Sequence, residues 1–363
     1  MSLICRPASP LRACLATTLV LSLFNPEIAH CQATTPSVKR DSEKMSVRPP
    51  DENMDLAEAK SLVQQGKLNE AERTVRQSLQ HQPQSADAHF LLGYILFREI
   101  QAGVEPQAEE YPNLPESELK LRKEKASESL AQFTEGAKYH DPSAFNLKIV
   151  ALDYVLLGAY TDADKWLTKS LQWNPKDSQG WYYLGRTKYN ENRFEEAAGA
   201  FKKCLELDPG NVKAEDNLGL SYAGLGRTEE AIAAYQKAIE WQSKSLDKKS
   251  GPFLNLGILL LDQHRAPEAV PYLQKAIEIS PEDPKAHQQL GKGYSALDRL
   301  PEAQAELEKA VQLDPQSAPL HFMLGQIYRR EGLSEKAKIE FDRTTSLNAL
   351  RSLNPNPGAN PGK

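Results

Sequence analysis

Residues 178–211 read SQGWYYLGRTKYNENRFEEAAGAFKKCLELDPGN, and the spacing of their apolar side chains decides the fold. Trp181, Leu184, Gly185 and Tyr189 recur at helical intervals, so they share a stripe on a first helix. Asn190, Asn192 and Arg193 make a polar turn. Ala197, Phe201 and Cys204 follow at i, i+4 and i+7, one face of a second helix. Asp208-Pro209 closes it, because proline biases its predecessor away from helical dihedrals. Gly185 and Ala197 are small where the two helices would cross, which permits close approach.

The stretch is one copy of a repeat. Gly185, Gly219, Gly257, Gly291 and Gly325 stand 34, 38, 34 and 34 residues apart, and Ala197, Ala231, Ala269, Ala303 and Ala337 each follow twelve residues later. Pro175, Pro209, Pro281 and Pro315 close four of the units. A period of this length predicts a stack of helix pairs.

The pattern resembles the tetratricopeptide repeat family, whose units read W-x2-L-G-x2-Y, then A-x3-F-x2-A, then P. The fifth unit fits with Leu218, Gly219, Tyr222, Ala231, Tyr235 and Ala238, and the sixth with Phe253, Leu256, Gly257, Ala269, Leu273, Ala276 and Pro281. The seventh has Leu290, Gly291, Tyr294, Ala303, Leu307, Ala310 and Pro315; the eighth has Leu324, Gly325, Tyr328, Ala337 and Phe341. Units one and three are degenerate, with Ala59 and Ala151 in place of the glycine, and unit two begins at Leu92-Gly93 before it is interrupted.

The resemblance implies an all-α, right-handed superhelical solenoid over 52–351, of about eight helix-turn-helix units. Their bounds are 52–85, 86–143, 144–177, 178–211, 212–249, 250–283, 284–317 and 318–351. Unit two carries an insertion, 103–125. Pro106, Pro112 and Pro115 exclude continuous helix from its first part, whereas Leu119, Ala126, Leu130, Phe133 and Ala137 then lie on one helical face. That predicts a loop followed by a lengthened second helix. The loop reads equally as a functional element or as a cover for apolar surface. Unit five holds four extra residues around 241–250, expected to add one helical turn.

Outside the repeats, residues 1–31 read as a secretory signal: Arg6 and Arg12, an apolar core from Ala13 to Phe24, the Asn25-Pro26 break, and small residues before Gln32. The expected location is periplasmic or extracellular, with a membrane anchor through an uncleaved leader as the alternative. Segments 32–51 and 352–363 have linker and tail composition. Three of the four cysteines fall in the leader, so the mature chain keeps only Cys204 and forms no internal disulfide. Cys204 sits at a packing position. Losing Arg6, Arg12 and Glu27 takes the net charge from −5 to −6. That disfavours nucleic acid, which needs a basic stripe. No second apolar run has membrane-spanning length, so membrane insertion of the mature chain is not expected.

In such a stack the first helices line a concave groove. Positions 2, 5, 6, 9, 12 and 13 of each unit are expected to face it. Position 6 of units four to seven holds Tyr183, Asn217, Asn255 and Gln289. Asn217 and Asn255 resemble the asparagine ladder in the repeats of O-linked N-acetylglucosamine transferase, which implies contact with a peptide main chain. An amide both donates and accepts, so it can pair with any peptide unit. Equally, these residues serve as the polar face that any helix needs. Arg186, Lys213, Lys285, Lys292, Arg329 and Arg330 make the groove basic, suited to acidic or carboxylate-ended ligands. Phe90, Tyr94, Phe97, Phe145, Leu152, Val155 and Leu156 are expected to give its N-terminal part an apolar lining. The chaperone-binding clamp of the family is not matched, since Leu56 and Lys60 occupy its first-unit positions.

No catalytic signature is present. Gly219-Leu-Ser-Tyr-Ala-Gly224 is no nucleophile elbow, and the seven histidines lack paired metal-ligand spacing. His89, His287 and His321 take the aromatic position of their units. No cofactor or metal is expected. The sequence points to a protein-binding scaffold, not an enzyme, that engages protein partners in its groove. An accessory chaperone or assembly factor for envelope proteins, and a recruiting or regulatory subunit of an enzyme complex, are the other readings. Oligomeric state is not set by the sequence.

Overall fold

The computed structural model describes residues 52–102, 116–243 and 248–353. The leader, the 32–51 segment, the 103–115 loop and residues 354–363 lie outside the described residues. Sixteen α-helices and no strands make up the described chain. They pair as α1 (Glu52–Gln64) with α2 (Leu68–His81), α3 (Ala86–Gln101) with α4 (Glu116–Gly136), α5 (Ala144–Leu156) with α6 (Tyr160–Trp173), and α7 (Ser178–Asn190) with α8 (Phe194–Leu207). The last four pairs are α9 (Val212–Gly224) with α10 (Thr228–Gln242), α11 (Gly251–Asp262) with α12 (Ala266–Ile279), α13 (Pro284–Ala296) with α14 (Leu300–Leu313), and α15 (Ala318–Arg330) with α16 (Ser334–Leu353).

Local chemistry starts the two helix types differently. Five first helices are capped by side chains: the Ser85, Ser143, Asp177, Asn211 and Asp283 oxygens each accept from a backbone N–H of the first turn. Four second helices, α8, α10, α12 and α14, instead begin at an arginine that forks onto a glutamate one turn inside, as in Arg193–Glu196, Arg265–Glu268 and Arg299–Glu302. The carboxylate also sits well at the positive end of the helix dipole.

Between them, position 15 of seven units has a left-handed backbone. Gly66, Gly158, Gly226 and Gly332 supply it in four, while Asn192, His264 and Asp298 hold φ of 58–59° in the others. An L-residue there costs about 1 kcal/mol or more. Changing His264→Gly is therefore expected to raise stability by about 0.5–1 kcal/mol, after the entropy that glycine adds to the unfolded chain; a lowered urea midpoint would contradict it.

The small residue at position 8 lets the pair close. A Cβ on Gly219 would lie 2.5 Å from the Tyr235 ring, and one on Gly185 2.6 Å from Phe201. Pairs are then tied end to end through position 4, where Trp181 Nε1 donates to the Pro175 carbonyl at 2.9 Å. His89, His287 and His321 reach the carbonyls of Pro83, Pro281 and Pro315 in the same way through Nε2. The histidines do the indole's work.

Two local details differ from expectation or add to it. The extra residues of unit five do not lengthen α10 by a turn; they fall in the connection to α11. Buried Gln242 holds that connection, accepting from Lys249 N at 2.7 Å and donating to Lys249 O at 3.0 Å. In unit two the helix after the insertion, α4, runs 21 residues against 14 or 15 in α2, α6, α8, α10, α12 and α14.

Where α3, α4 and α5 meet, Ser129 Oγ lies 2.9 Å from the Gly93 carbonyl and 2.6 Å from Asp153 Oδ2, all out of solvent. A hydroxyl has one proton, and the carbonyl can only accept. If the hydroxyl donates to Gly93, the remaining contact requires a proton on Asp153. Burial pushes the Asp153 carboxyl up to about 8, against the smaller opposing effect of the Ser129 hydrogen bond.

Candidate protein-interaction surface

Each first helix packs on the second helix of its own unit and on that of the preceding unit. From α1 to α13 the first helices also touch one another in sequence, whereas the second helices do not approach each other comparably. The side where successive elements crowd is the inside of the curve, so first helices line the inner wall.

At its N-terminal part Tyr94 of α3 meets Phe145 of α5 edge-on, with ring centres 5.2 Å apart. Arg98 lies over the Tyr94 ring at 5.8 Å and donates to its hydroxyl, while Lys148 stands 5.9 Å from the Phe145 ring. Lys148 is held by Asp177 at 2.8 Å and Gln179 at 3.2 Å. Phe145 nevertheless remains 47% exposed. Leu152, Val155 and Leu156, further along α5, are half-buried.

Phe90 and Phe97 correct the expected lining. Both are only 7% exposed, packed with Phe133, Ile149 and Val150. α4 closes over Phe90: Phe133 stacks on it at 6.1 Å, and Gly136 lets the Phe90 ring lie against its backbone. They hold the pair together and offer a partner almost no surface.

In unit four Tyr182 and Tyr183 pack edge-on at 5.6 Å, and Tyr183 and Arg186 are half-exposed on the wall. The amide row that follows is largely occupied by the chain itself. Asn217 is 6% exposed and donates to the Lys213 carbonyl at 2.8 Å. Asn255 donates to buried Asp216 at 3.0–3.1 Å. Gln289 is 8% exposed. An incoming main chain would have to displace these contacts, so the row is not displayed as an open ladder. Position 5 of one unit lies beside position 6 of the next, and that neighbour relation, not visible in either segment alone, diverts Asn255.

At the C-terminal part Lys285, Lys292 and Arg329 are exposed. Arg330 donates to Ser295 and pairs with Asp298 at 2.8 Å. Phe322, Arg329, Phe341, Thr344 and Thr345 line a shallow hollow of about 390 Å³. Among the described residues no cluster of ligating side chains could hold a metal, and no helix is long and apolar enough to cross a membrane. Buried Cys204 has its thiol pushed up to about 11 by desolvation, so it stays protonated near neutrality.

A stack of helix pairs with an accessible inner wall defines a scaffold for protein–protein interaction. Tetratricopeptide repeat models match residues 56–99, 178–211, 212–282, 260–309 and 306–339. The chain belongs to the tetratricopeptide repeat family. It is similar to the peroxisomal targeting signal receptor of Komagataella phaffii, 27% identical over 147 residues, which are 39% of this chain and 24% of that receptor. It is also similar to the cytochrome c-type biogenesis protein CycH of Pseudomonas aeruginosa, 28% identical over 130 residues, or 35% of this chain and 31% of CycH. The chain thus spans less than a third of either relative. Among solved structures, a tetratricopeptide repeat protein from Parabacteroides merdae has a TM-score of 0.55 at 17% identity, covering 76% of this chain and 98% of that one. A chain of the APC/C hetero-tetramer Cut9–Hcn1 scores 0.52 at 15% identity, covering 82% and 53%. Those two likenesses concern the fold alone.

Proposed function

We propose that this chain is an exported, non-catalytic scaffold that holds a partner's peptide segment along its inner wall, with the Tyr94–Phe145 station as its principal grip. The observation that carries the reading is Phe145. A large ring left 47% in water on the inner wall, braced edge-on and flanked by cations, is a ready anchor for an apolar side chain. Arg6, Arg12 and the short apolar core after them support export. The name of the Komagataella phaffii relative, a peroxisomal targeting signal receptor, supports recognition of a partner's signal.

The test is recovery of partners by the mature chain from its own envelope fraction. Phe145→Ala with Tyr94→Ala is expected to lower recovery of the principal partner about tenfold or more, as loss of an aromatic anchor does. Asn217→Ala with Asn255→Ala is expected to change it little, because those amides are already engaged. Unchanged recovery after the aromatic substitutions would assign Phe145 to packing. The likeness to CycH favours a second reading, an assembly factor for envelope proteins. A single enriched partner supports the scaffold, and many weakly enriched ones the assembly factor.

A further inference from the structure

The inner wall changes character toward its end. In units seven and eight its twelve positions are Lys285, Gln288, Gln289, Lys292, Ser295, Ala296, Pro319, Phe322, Met323, Gln326, Arg329 and Arg330. Four are cations and none is acidic, in a chain of net charge −5. Arg330 is compensated by Asp298, but Lys285, Lys292 and Arg329 form no ion pair among the described residues. Units five and six differ, because there the basic Lys213 shares the wall with Asp216 and Asp262.

Beside that wall, α15 and α16 leave an apolar opening. At position 24, interior units bury Phe201, Tyr235, Leu273 and Leu307 almost completely, under the first helix of the following unit. In unit eight no described helix follows, and Phe341 stays partly open. Position 5 behaves alike: Tyr182, Asp216 and Leu254 are buried, yet Phe322 is 46% exposed. The two rings lie 5.8 Å apart, with the Arg329 guanidinium 5.7 Å from Phe341 at the mouth of the hollow. Thr344 and Thr345 complete it with hydroxyls that bond back to their own helix.

We infer that the inner wall of units seven and eight, together with the α15–α16 face beside it, is a second docking station, for an acidic partner segment that places an aromatic or large aliphatic side chain in the Phe322–Phe341 hollow and its carboxylates over Lys285, Lys292 and Arg329. Charge selects this occupant. Residues 354–363, NPGANPGK preceded by Asn354-Pro355, contain no acid and no large apolar side chain, so they match neither half of the station. A second copy stacking end to end would present α1, whose exposed Glu58, Lys60, Ser61 and Gln64 are polar and of mixed charge. Uncompensated cations in a concave wall attract a carboxylate-rich segment over distances of about 10 Å, and the desolvated ring fixes its register.

The inference rests on the reading of the inner wall as the binding face, but not on the Tyr94–Phe145 station. Two labelled peptides of about twelve residues test it, each with one central tryptophan, one flanked by glutamates and the other by lysines. Binding to the full chain is followed by fluorescence anisotropy at low salt and at about 0.5 M salt. The acidic peptide is expected to bind at least about tenfold tighter than the basic one and to weaken severalfold in salt. Arg329→Glu and Lys292→Glu, both at exposed positions, are each expected to cut that binding about tenfold with the helical circular dichroism unchanged. Phe145→Ala is expected to leave it intact. Equal binding of the two peptides, or acidic binding indifferent to both charge reversals, overturns the inference while leaving the first station standing. So does self-association of the chain that Arg329→Glu abolishes, since a second copy would then be the occupant. Loss of acidic binding with Phe145→Ala would place the peptide at the first station and overturns it as well.

Discussion

Replacing Gly219 by alanine is expected to destabilise the protein by about 2 kcal/mol, although alanine is the better helix former. The added Cβ would stand 2.5 Å from Cε1 and 2.7 Å from Cδ1 of Tyr235. That ring is 1% exposed and packed on all sides, so it cannot swing away cheaply. The helix-propensity gain of about 1 kcal/mol offsets only part of the overpacking. Unit one shows how the clash is otherwise avoided, with Ala59 at the glycine position and the smaller Val75 at the facing one. A double-mutant cycle of Gly219→Ala and Tyr235→Val should therefore return a favourable coupling of more than about 1 kcal/mol in urea unfolding. Simple additivity would show that the glycine is not there for the ring.

Asp153→Asn is expected to act in the opposite direction, stabilising the protein by about 2–4 kcal/mol at pH 7. The folded chain keeps a proton on this carboxyl that the unfolded chain releases. Stability from the group is full below the unfolded value near pH 4, falls as pH rises, and is gone above about 8, where the buried carboxyl finally ionises. An amide donates to Ser129 without that penalty, so the variant's stability should be flat in pH across the same window. The Ser129 hydroxyl and the Gly93 carbonyl would keep their contact. Wild type and variant curves that run parallel between about pH 4 and pH 8 would show that Asp153 is not the protonated partner.

The repeat period was legible because it is written in side-chain size: glycine at position 8 and alanine at position 20 answer to helix crossings that recur in every unit. The left-handed turn was only half visible, since Asn192, His264 and Asp298 do not announce a positive φ as Gly226 does. The candidate site was harder to read. A position number says which way a side chain leaves its helix, but not what the neighbouring unit brings to it. Asn255 faces the groove by position and is nonetheless engaged by Asp216, 39 residues earlier. Phe90 and Phe97 face the groove by position, yet Phe90 is drawn under Phe133 of the neighbouring helix, as Tyr182 is under Phe201, and Phe97 joins the same cluster with Ile149 and Val150. Phe322 and Phe341 are open for a reason that no single unit contains, namely that no described helix lies on them.

Because every unit leans only on the one before and the one after, the array behaves mechanically like springs joined in series. A small angular give at each junction adds up along the chain, so the span between the aromatic end and the cationic end is compliant even though each helix pair is stiff. A ligand long enough to reach both would set that span, and tension on it would be shared by all the intervening joints.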